Sequence, residues 1–344
     1  MSTTPDSRRP ILVTGAAGFI GFHIARRLLR AGHRVVGADS LNAYYDPVLK
    51  RARLAELQGL DGFRFVQIDL ADREACVRLF DEVAPERVVH MAAQAGVRHS
   101  ISHPTEFIDS NLTGFGNVLE GCRHQSVAHL LYASSSSVYG ANTTLPYSVD
   151  QTVDRPLSLY AATKKANELM AHAYSHLYRL PTTGVRFFTV YGPWGRPDMA
   201  MFLFTDALIR GRPINMFNGG KMGRDLTYID DAADAVVRLL DLPPQATAPE
   251  PPYTIQNVGN SERVDIARLV RVIEAATGCS AMIRDLPMQP GDVHETMADT
   301  SRLEQRIGAM SHTDIETGVR HFVEWYRDVY VRLDRRAEPA PVGS

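Results

Sequence analysis

The sequence predicts an α/β protein: a doubly wound parallel sheet with helices on both faces, joined to a smaller α+β lobe. In the first half of the chain, short β-branched apolar runs alternate with segments whose apolar residues have helical spacing. The runs are continuously apolar, which is typical of strands buried on both faces of a parallel sheet. From Pro193 to Gly223, frequent Gly and Pro indicate a loop-rich lobe. A chain of 344 residues is long enough for both parts.

The predicted elements follow one another in a regular order. The expected strands are 11–13, 34–38, 63–68, 87–91, 129–133 and 183–188, the last of which ends this region of the chain. The main expected helices are 23–31, 114–122, 167–178, 230–240 and 264–277. Strands and helices that alternate in this way require crossover connections, and these place the helices on both faces of the sheet.

Composition and charge exclude several classes of partner. The chain has 37 Lys and Arg residues and 39 Asp and Glu residues, a net charge of −2. It therefore has no excess of positive charge to attract the phosphates of a nucleic acid. Apolar residues make up 44% of the sequence, too many for a disordered chain. The sequence contains no run of about 18 apolar residues, the length that a membrane-spanning helix needs. Cys76, Cys122 and Cys279 fit no disulfide or metal-site pattern. We therefore expect three buried thiols in a cytoplasmic protein without a metal site.

A glycine-rich turn follows the first strand and opens the first helix. Gly15, Gly18 and Gly21 allow a tight turn and let backbone N–H groups approach a pyrophosphate at the helix N-terminus. Asp39 lies 18 residues after Gly21, near the position of an acid that binds a ribose diol. A carboxylate there repels a 2′-phosphate, so the pattern favours NAD over NADP. The alternatives left open are an ordinary tight turn for the glycines and a cap for Asp39.

The glycines have the spacing GxxGxxG, and the pair Tyr160 and Lys164 follows downstream. Together these motifs resemble the extended short-chain dehydrogenase/reductase family, specifically its nucleotide-sugar epimerases and dehydratases, from Ile11 to about Val331. The resemblance implies a Rossmann domain that binds NAD. The residues expected at the cofactor are Gly15, Ala17, Gly18, Phe19, Ile20, Gly21, Asp39, Asp69, Leu70, Ala92, Tyr160 and Lys164. For Asp69, a strand-end turn remains the alternative.

The domain division follows from the same resemblance. We expect a flexible tail at 1–9, an NAD-binding Rossmann domain at 10–188 and 225–259, a nucleotide-sugar-binding lobe at 189–224 and 260–334, and a second flexible tail at 335–344.

Tyr160, Lys164 and Ser135 are the candidate catalytic residues. A free phenol, with a pKa near ~10, is a poor base at neutral pH, but an ammonium group one helical turn away stabilises its phenolate. Ser135 ends a parallel strand, where ligand chemistry collects in open α/β sheets. The resemblance implies that it shares the reacting hydroxyl with Tyr160. Any amphipathic helix can carry Tyr and Lys at this spacing, and a strand-end serine can simply satisfy backbone groups.

The two residues after Ser135 distinguish reaction types. Dehydratases and uronate decarboxylases of the family carry acidic residues there, whereas this chain has Ser136 and Ser137. Without a carboxylate, the site can oxidise and reduce C4 of a sugar but is poorly equipped for elimination. The serines therefore favour an epimerase.

The stretch 186–200 closely resembles the UDP-glucuronate 4-epimerases, and so do 41–46, 92–98 and 158–170. Thr189 stands where glucose epimerases typically have Asn. Arg196 could bind the uronate carboxylate as a charge-assisted fork, with Arg98 as a weaker candidate and a solvated loop charge as the alternative.

The nucleotide part of a substrate has its own candidates, all from the resemblance. Arg224 would meet the diphosphate, Asp292 the uridine ribose, and Met216 and Phe217 the uracil. The alternatives are an ion pair for Arg224, a turn cap for Asp292 and core positions for the two apolar residues.

The sequence thus predicts NAD-dependent 4-epimerisation of a UDP-hexuronate, UDP-glucuronate to UDP-galacturonate, through a 4-keto intermediate. A UDP-glucuronate decarboxylase or another nucleotide-sugar epimerase or dehydratase is the nearer alternative, and a non-catalytic NAD-binding sensor is the distant one. The expected partners are a UDP-sugar and a second copy of the chain, in a homodimer that uses helices 114–122 and 167–178, with no nucleic acid or membrane.

Overall fold

The computed structural model describes residues 9–287 and 293–337, and twelve strands and thirteen α-helices lie within them. The strands are β1 (Ile11–Thr14), β2 (Val35–Asp39), β3 (Phe63–Gln67), β4 (Arg87–His90), β5 (His129–Ser135), β6 (Thr182–Phe187), β7 (Thr189–Tyr191), β8 (Ile214–Phe217), β9 (Gly223–Tyr228), β10 (Tyr253–Val258), β11 (Arg263–Asp265) and β12 (Ile283–Leu286). The helices are α1 (Phe19–Arg30), α2 (Pro47–Gln58), α3 (Arg73–Val83), α4 (His99–Ser102), α5 (Pro104–Phe107), α6 (Gly114–His124), α7 (Leu159–Tyr178), α8 (Ala200–Ile209), α9 (Ile229–Leu240), α10 (Ile266–Thr277), α11 (Ser301–Ile307), α12 (Ile315–Trp325) and α13 (Val331–Ala337).

Seven of these strands form the central sheet, in the order β10-β6-β5-β4-β1-β2-β3. Every neighbouring pair is parallel, which confirms the predicted fold class. The chain runs outward from β1 to β3 and then returns to β4 on the other side of β1. Such a reversal opens a crevice at the carboxyl ends of the strands, where ligands bind in this class of sheet.

Alternate residues of β1 point into two separate cores. Ile11 and Val13 pack with the helices on one face, whereas Leu12 packs on the other. All three side chains are buried. This burial on both faces is the physical reason for the continuously apolar strands of the sequence.

The strands predicted from the sequence do not include β10, which pairs with β6 on its outer side. Asn257 of β10 is buried and donates from its side-chain amide to the backbone oxygens of Tyr147 and Asp299. Polar residues of this kind weaken the apolar signal of β10, although Asn257 is hydrogen-bonded in the fold.

The smaller lobe contains a three-stranded sheet, β11-β9-β7, and the two-stranded sheet β12-β8. Residues 263–265, at the start of the predicted helix 264–277, pair antiparallel with β9 instead, so helix α10 begins at Ile266. Within 9–287 and 293–337, no helix combines the length and apolar content needed to cross a membrane. Cys76 and Cys122 are buried as expected, but Cys279 is only half-buried.

Candidate active site

A cavity of about 1350 Å³ lies at the carboxyl ends of the central strands, between the sheet and the smaller lobe. Most of the predicted site residues line it: Gly15, Gly18, Phe19, Ile20, Gly21, Asp39, Asp69, Leu70, Ala92, Ser135, Ser136, Ser137, Tyr160, Lys164, Thr189, Arg196, Phe217 and Arg224. Ala17 and Met216 are buried in the core beside the cavity without lining it. Asp292 lies outside the described residues.

The glycine turn at the end of β1 leaves no room for side chains. Gly15 has φ +68, and a Cβ there would lie 2.7 Å from the backbone nitrogen of Ala92. A Cβ on Gly18 would lie 2.9 Å, and one on Gly21 2.1 Å, from the carbonyl oxygen of Gly15. The turn is therefore a surface of bare backbone at the N-terminus of α1, whose first N–H groups have no partner within the helix. A dinucleotide pyrophosphate fits such a surface.

Asp39 is held beside this turn by backbone hydrogen bonds. Its two carboxylate oxygens accept from the N–H of Ala17 at 3.1 Å and of Leu41 at 2.8 Å. A carboxylate has about four acceptor positions, so lone pairs remain for a ribose diol. Asp69 also lines the cavity, but its carboxylate accepts from the N–H of Ala71 at 2.9 Å, as in the strand-end turn that the sequence left open.

Helix α7 presents Tyr160 and Lys164 to the cavity one turn apart. The helix begins after Ser158, whose hydroxyl accepts from the N–H of Ala161 at 3.1 Å and so caps the first turn. The ammonium group of Lys164 donates to the carbonyl oxygen of Ala133 on β5 at 2.9 Å. Its burial lowers the pKa of Lys164 to about 8.

Tyr160 is surrounded by groups with opposing effects on its ionisation. Burial raises the pKa of Tyr160 above its ordinary value, while a hydrogen bond with Ser135 and the positive charge of Arg196 lower it. The fold thus brings Ser135, Tyr160 and Arg196 together from three distant segments. The phenolate needs a cationic environment, and a bound nicotinium ring would add to it.

The serine run turns sharply after β5. Residues Ser136–Tyr139 form a short 3₁₀ turn, and the Ser135 hydroxyl accepts from the N–H of Ser137 at 3.1 Å. Ser134 also lines the cavity, but its hydroxyl donates to the carboxylate of Glu168 at 2.7 Å. The structural role that a strand-end serine can have therefore applies to the Ser134 hydroxyl.

Arg196, the candidate ligand of the uronate carboxylate, is already paired within the protein. Its guanidinium forms a two-pronged ion pair with Asp198, with 3.0 Å between Nε and Oδ1. The Tyr44 hydroxyl donates to the same carboxylate at 3.0 Å. Burial alone would lower the pKa of Arg196, but the bonds to Asp198 raise it, and the guanidinium holds the pKa of Asp198 below its usual range despite burial. A substrate carboxylate would have to share Arg196 with Asp198.

The nucleotide end of the cavity combines an aromatic ring with two arginines. The guanidinium of Arg98 lies 5.1 Å from the ring centre of Phe217. Arg224 donates to the carbonyl oxygens of Gly223 at 2.9 Å and His294 at 3.2 Å. Met216 is 4% exposed and belongs to the apolar core, so its side chain does not reach this end.

Sequence reasoning missed Asp198 and Arg53, both of which position groups around the cavity. Asp198 follows Arg196 by two residues, a spacing that signals a local ion pair. Arg53 lies between Leu49 and Leu57 at intervals of four, on the buried face of α2. The sequence signal for Arg53 was therefore a charged residue on an otherwise apolar face of a helix.

The bare-backbone turn, the Asp39 carboxylate beside it and the Ser-Tyr-Lys arrangement define a short-chain dehydrogenase/reductase of the extended type. Residues 11–259 match the model of the NAD dependent epimerase/dehydratase family. The chain belongs to this family, and its cofactor is NAD.

Individual known proteins are similar to this chain over nearly its whole length. The chain is 47% identical to the probable UDP-glucuronate 4-epimerase of Rhizobium meliloti, over 93% of this chain and 98% of that protein. It is 56% identical to an uncharacterized 37.6 kDa protein of Escherichia coli O111:H-, over 93% and 98% of the two chains. The crystal structure of UDP-glucuronic acid 4-epimerase from Bacillus cereus with UDP-glucuronic acid and NAD has a TM-score of 0.86 and 30% identity, over 93% and 100% of the two chains.

Proposed function

We propose that this protein is an isomerase that interconverts UDP-glucuronate and UDP-galacturonate by NAD-dependent inversion at C4, through a 4-keto intermediate. The observation that carries the proposal is the carboxylate-free turn Ser135–Ser137 facing Tyr160, with the charge of Arg196 close enough to lower the pKa of that phenol. Relatives with the same architecture are named for this reaction.

Each catalytic side chain has a defined role. Tyr160, as phenolate, takes the proton of the sugar 4-hydroxyl and later returns it to the oxygen of the 4-keto group. Ser135 hydrogen-bonds that oxygen in both directions, and Lys164 keeps the phenolate stable and binds the nicotinamide ribose. When bound, NAD supplies the hydride acceptor, and then the hydride donor, for C4. Between the two transfers the keto sugar turns about its diphosphate link and presents its other face, which inverts C4.

The keto intermediate is a β-keto acid, because C4 is two carbons from the carboxylate carbon, and such acids lose CO₂ readily. An epimerase must hold the carboxylate in an orientation unsuited to C–C cleavage while the ring turns. We assign this task to Thr189, Arg196, Ser136 and Ser137, all of which line the cavity. Asp198 limits the freedom of Arg196 and therefore also its orientation.

The remaining residues of the proposed site are assigned to NAD and to the uridine diphosphate. Gly15, Ala17, Gly18, Phe19, Ile20, Gly21, Asp39, Asp69, Leu70 and Ala92 surround the NAD. Phe217 and Arg224 serve the uridine diphosphate, with Asp292 and Met216 retained from the resemblance. The corresponding units are the NAD-binding domain, 10–188 and 225–259, and the sugar lobe, 189–224 and 260–334.

We also propose a homodimer in the cytoplasm. Leu169 and Leu177 lie eight residues apart on α7 and are 60% and 66% exposed, an apolar face that a second copy would cover. The three cysteines are free, which suits a reducing compartment. Light scattering should find a dimer that Leu169→Glu dissociates, and a monomeric wild type would contradict it.

Proton NMR of the purified protein incubated with UDP-glucuronate and NAD tests the proposed reaction. The expected product is UDP-galacturonate. A UDP-pentose would instead identify a decarboxylase, and binding without conversion would identify a sensor.

A further inference from the structure

We infer that Arg53 is a positioning residue that ties the glycine turn of the cofactor site to the turn that carries Arg196. The inference rests on the proposed function, which assigns Arg196 to the carboxylate of the substrate. Arg53 lies on α2 and is 0% exposed. Among the described residues its guanidinium has no carboxylate partner and bonds only to carbonyl oxygens and the Tyr45 hydroxyl.

One end of this link is the turn immediately before Arg196. Arg53 donates to the carbonyl oxygen of Trp194 from Nη2 at 2.6 Å and from Nε at 3.2 Å, and to that of Gly195 at 3.3 Å. Trp194 has φ +64, a left-handed conformation that non-glycine residues rarely adopt without outside support. His23 of α1 contacts the preceding carbonyl oxygen, that of Pro193, at 3.0 Å. Three consecutive carbonyls are therefore held by helices α1 and α2.

The other end of the link is the glycine turn. The Nη1 atom of Arg53 donates to the carbonyl oxygen of Ala17 at 2.9 Å, and the N–H of Ala17 donates to Asp39. A single planar guanidinium thus spans both sites. A lysine in its place has a point charge and no fork, so it cannot bond both turns in this geometry. Displacement of the glycine turn by a bound dinucleotide is transmitted through Arg53 to the backbone that aims Arg196.

Ligand preference tests the link at the sugar end. The dissociation constants of UDP-glucuronate, UDP-glucose and UDP are measured for the NAD-loaded wild type, Arg53→Gln and Arg53→Lys. In both variants we expect the preference for UDP-glucuronate over UDP-glucose to fall about tenfold, because a misplaced Arg196 no longer forms a charge-assisted bond to the carboxylate. The dissociation constant of UDP should not change. Equal weakening of all three ligands, or an unchanged preference, would overturn the inference.

Leu57→Ala is the matched control, because Leu57 lies one turn further along α2 and is fully buried. It should lower thermal stability but keep the ligand preference. If it reduced the preference as much as Arg53→Gln does, general loosening of α2 would be the explanation and the link would be wrong.

Tryptophan fluorescence tests the cofactor end without turnover. The chain has only two tryptophans, so Trp325→Phe leaves Trp194 as the reporter of the turn. Titration of the nucleotide-free Trp325→Phe protein with NAD should change Trp194 emission, and adding Arg53→Gln should abolish most of that change while NAD still binds. An undiminished response would overturn the link. If the wild type does not prefer UDP-glucuronate, the proposed function fails, and this measurement still decides the role of Arg53.

Discussion

Glu168 and Arg186 form a buried, two-pronged ion pair beneath the candidate catalytic residues. The carboxylate accepts from Nε at 2.8 Å and from Nη2 at 2.9 Å, and the residues are 2% and 3% exposed. Glu168 lies one turn after Lys164 on α7, and it also accepts from the hydroxyl of Ser134 on β5. Arg186 belongs to β6 and Ser134 to β5, so Glu168 fixes the helix of Tyr160 and Lys164 against both strands, of which β5 ends in Ser135.

We expect Glu168→Gln to lower the free energy of unfolding by about 3–5 kcal/mol, because it leaves the Arg186 charge buried without its partner. Urea unfolding measures the change. Glu82→Gln is the control: Glu82 pairs with Arg64 on the surface, and such pairs contribute about 0–1 kcal/mol. Equal losses in the two variants would contradict the assigned role of the buried pair.

Tyr160→Phe should reduce kcat by about 10²–10⁴-fold, the usual contribution of a general acid–base group, with little change in the Kd of UDP-glucuronate. Steady-state kinetics and calorimetry separate the two effects. Tyr174→Phe on the same helix removes a hydroxyl that bonds Glu120 and not the cavity, so it should retain activity. Full turnover by Tyr160→Phe would eliminate Tyr160 as the base.

Ser135→Ala should move the acidic limb of the kcat profile to higher pH. The hydrogen bond with Ser135 lowers the pKa of Tyr160, so its loss raises that pKa, and more alkaline solution is needed to form the phenolate. A bond of about 1 kcal/mol corresponds to a shift of roughly 0.7 pH. Ser175→Ala serves as control, because its buried hydroxyl on α7 has no partner among the described residues. A limb that stays in place, or moves to lower pH, would refute the proposed contact.

Lys164→Met should stabilise the protein at pH 7 while abolishing turnover. Burial lowers the pKa of Lys164 from 10.5 to about 8 in the folded protein. Between pH 8 and pH 10.5 the unfolded chain binds more protons at Lys164 than the folded protein does, so the free energy of unfolding rises with pH in this range. Below about pH 8 the lysine is charged in both states, and the full free-energy cost of burying its charge destabilises the fold. Allowing for the lost bond to Ala133, we expect a gain of about 1–3 kcal/mol at pH 7.

Urea unfolding at pH 7 and pH 10 checks this prediction, and the gain should be much smaller at the higher pH. Lys165→Met, the neighbouring position with a more exposed side chain, should show no comparable pH-dependent gain. A destabilised Lys164→Met at pH 7 would mean that the bond to Ala133 outweighs the burial of the charge.

Asp198→Asn should tighten the binding of UDP-glucuronate by about fivefold, the effect of removing a repulsion of about 1 kcal/mol. In the wild type, Arg196 is already bound to Asp198, so a substrate carboxylate placed at Arg196 would be repelled by Asp198. UDP-glucose carries no such carboxylate, so its Kd should change little. Isothermal titration measures both ligands. Weaker binding of UDP-glucuronate would show that Asp198 contributes more by orienting Arg196 than it costs by competing for it.

Local spacing explains how much of the site was predictable. Gly15, Gly18 and Gly21 belong to one turn, and Tyr160 and Lys164 to one helical turn, so their short-range spacing together with the family resemblance identifies them. Six of the seven strands of the central sheet were found from their apolar runs, because strands buried on both faces need few polar residues. Asp292 lies outside the described residues, and its assignment stays a prediction.

The sequence by itself determined the fold class, the dinucleotide turn and the candidate catalytic residues, all of which depend on neighbours along the chain. Only the tertiary structure decided that β10 completes the sheet, that Tyr44 joins the pair of Arg196 and Asp198, and that Arg53 reaches Trp194 across 141 positions. Contacts of that length depend on how whole elements pack. No local pattern encodes them, because a buried guanidinium can be satisfied by any carbonyl that the fold brings within reach.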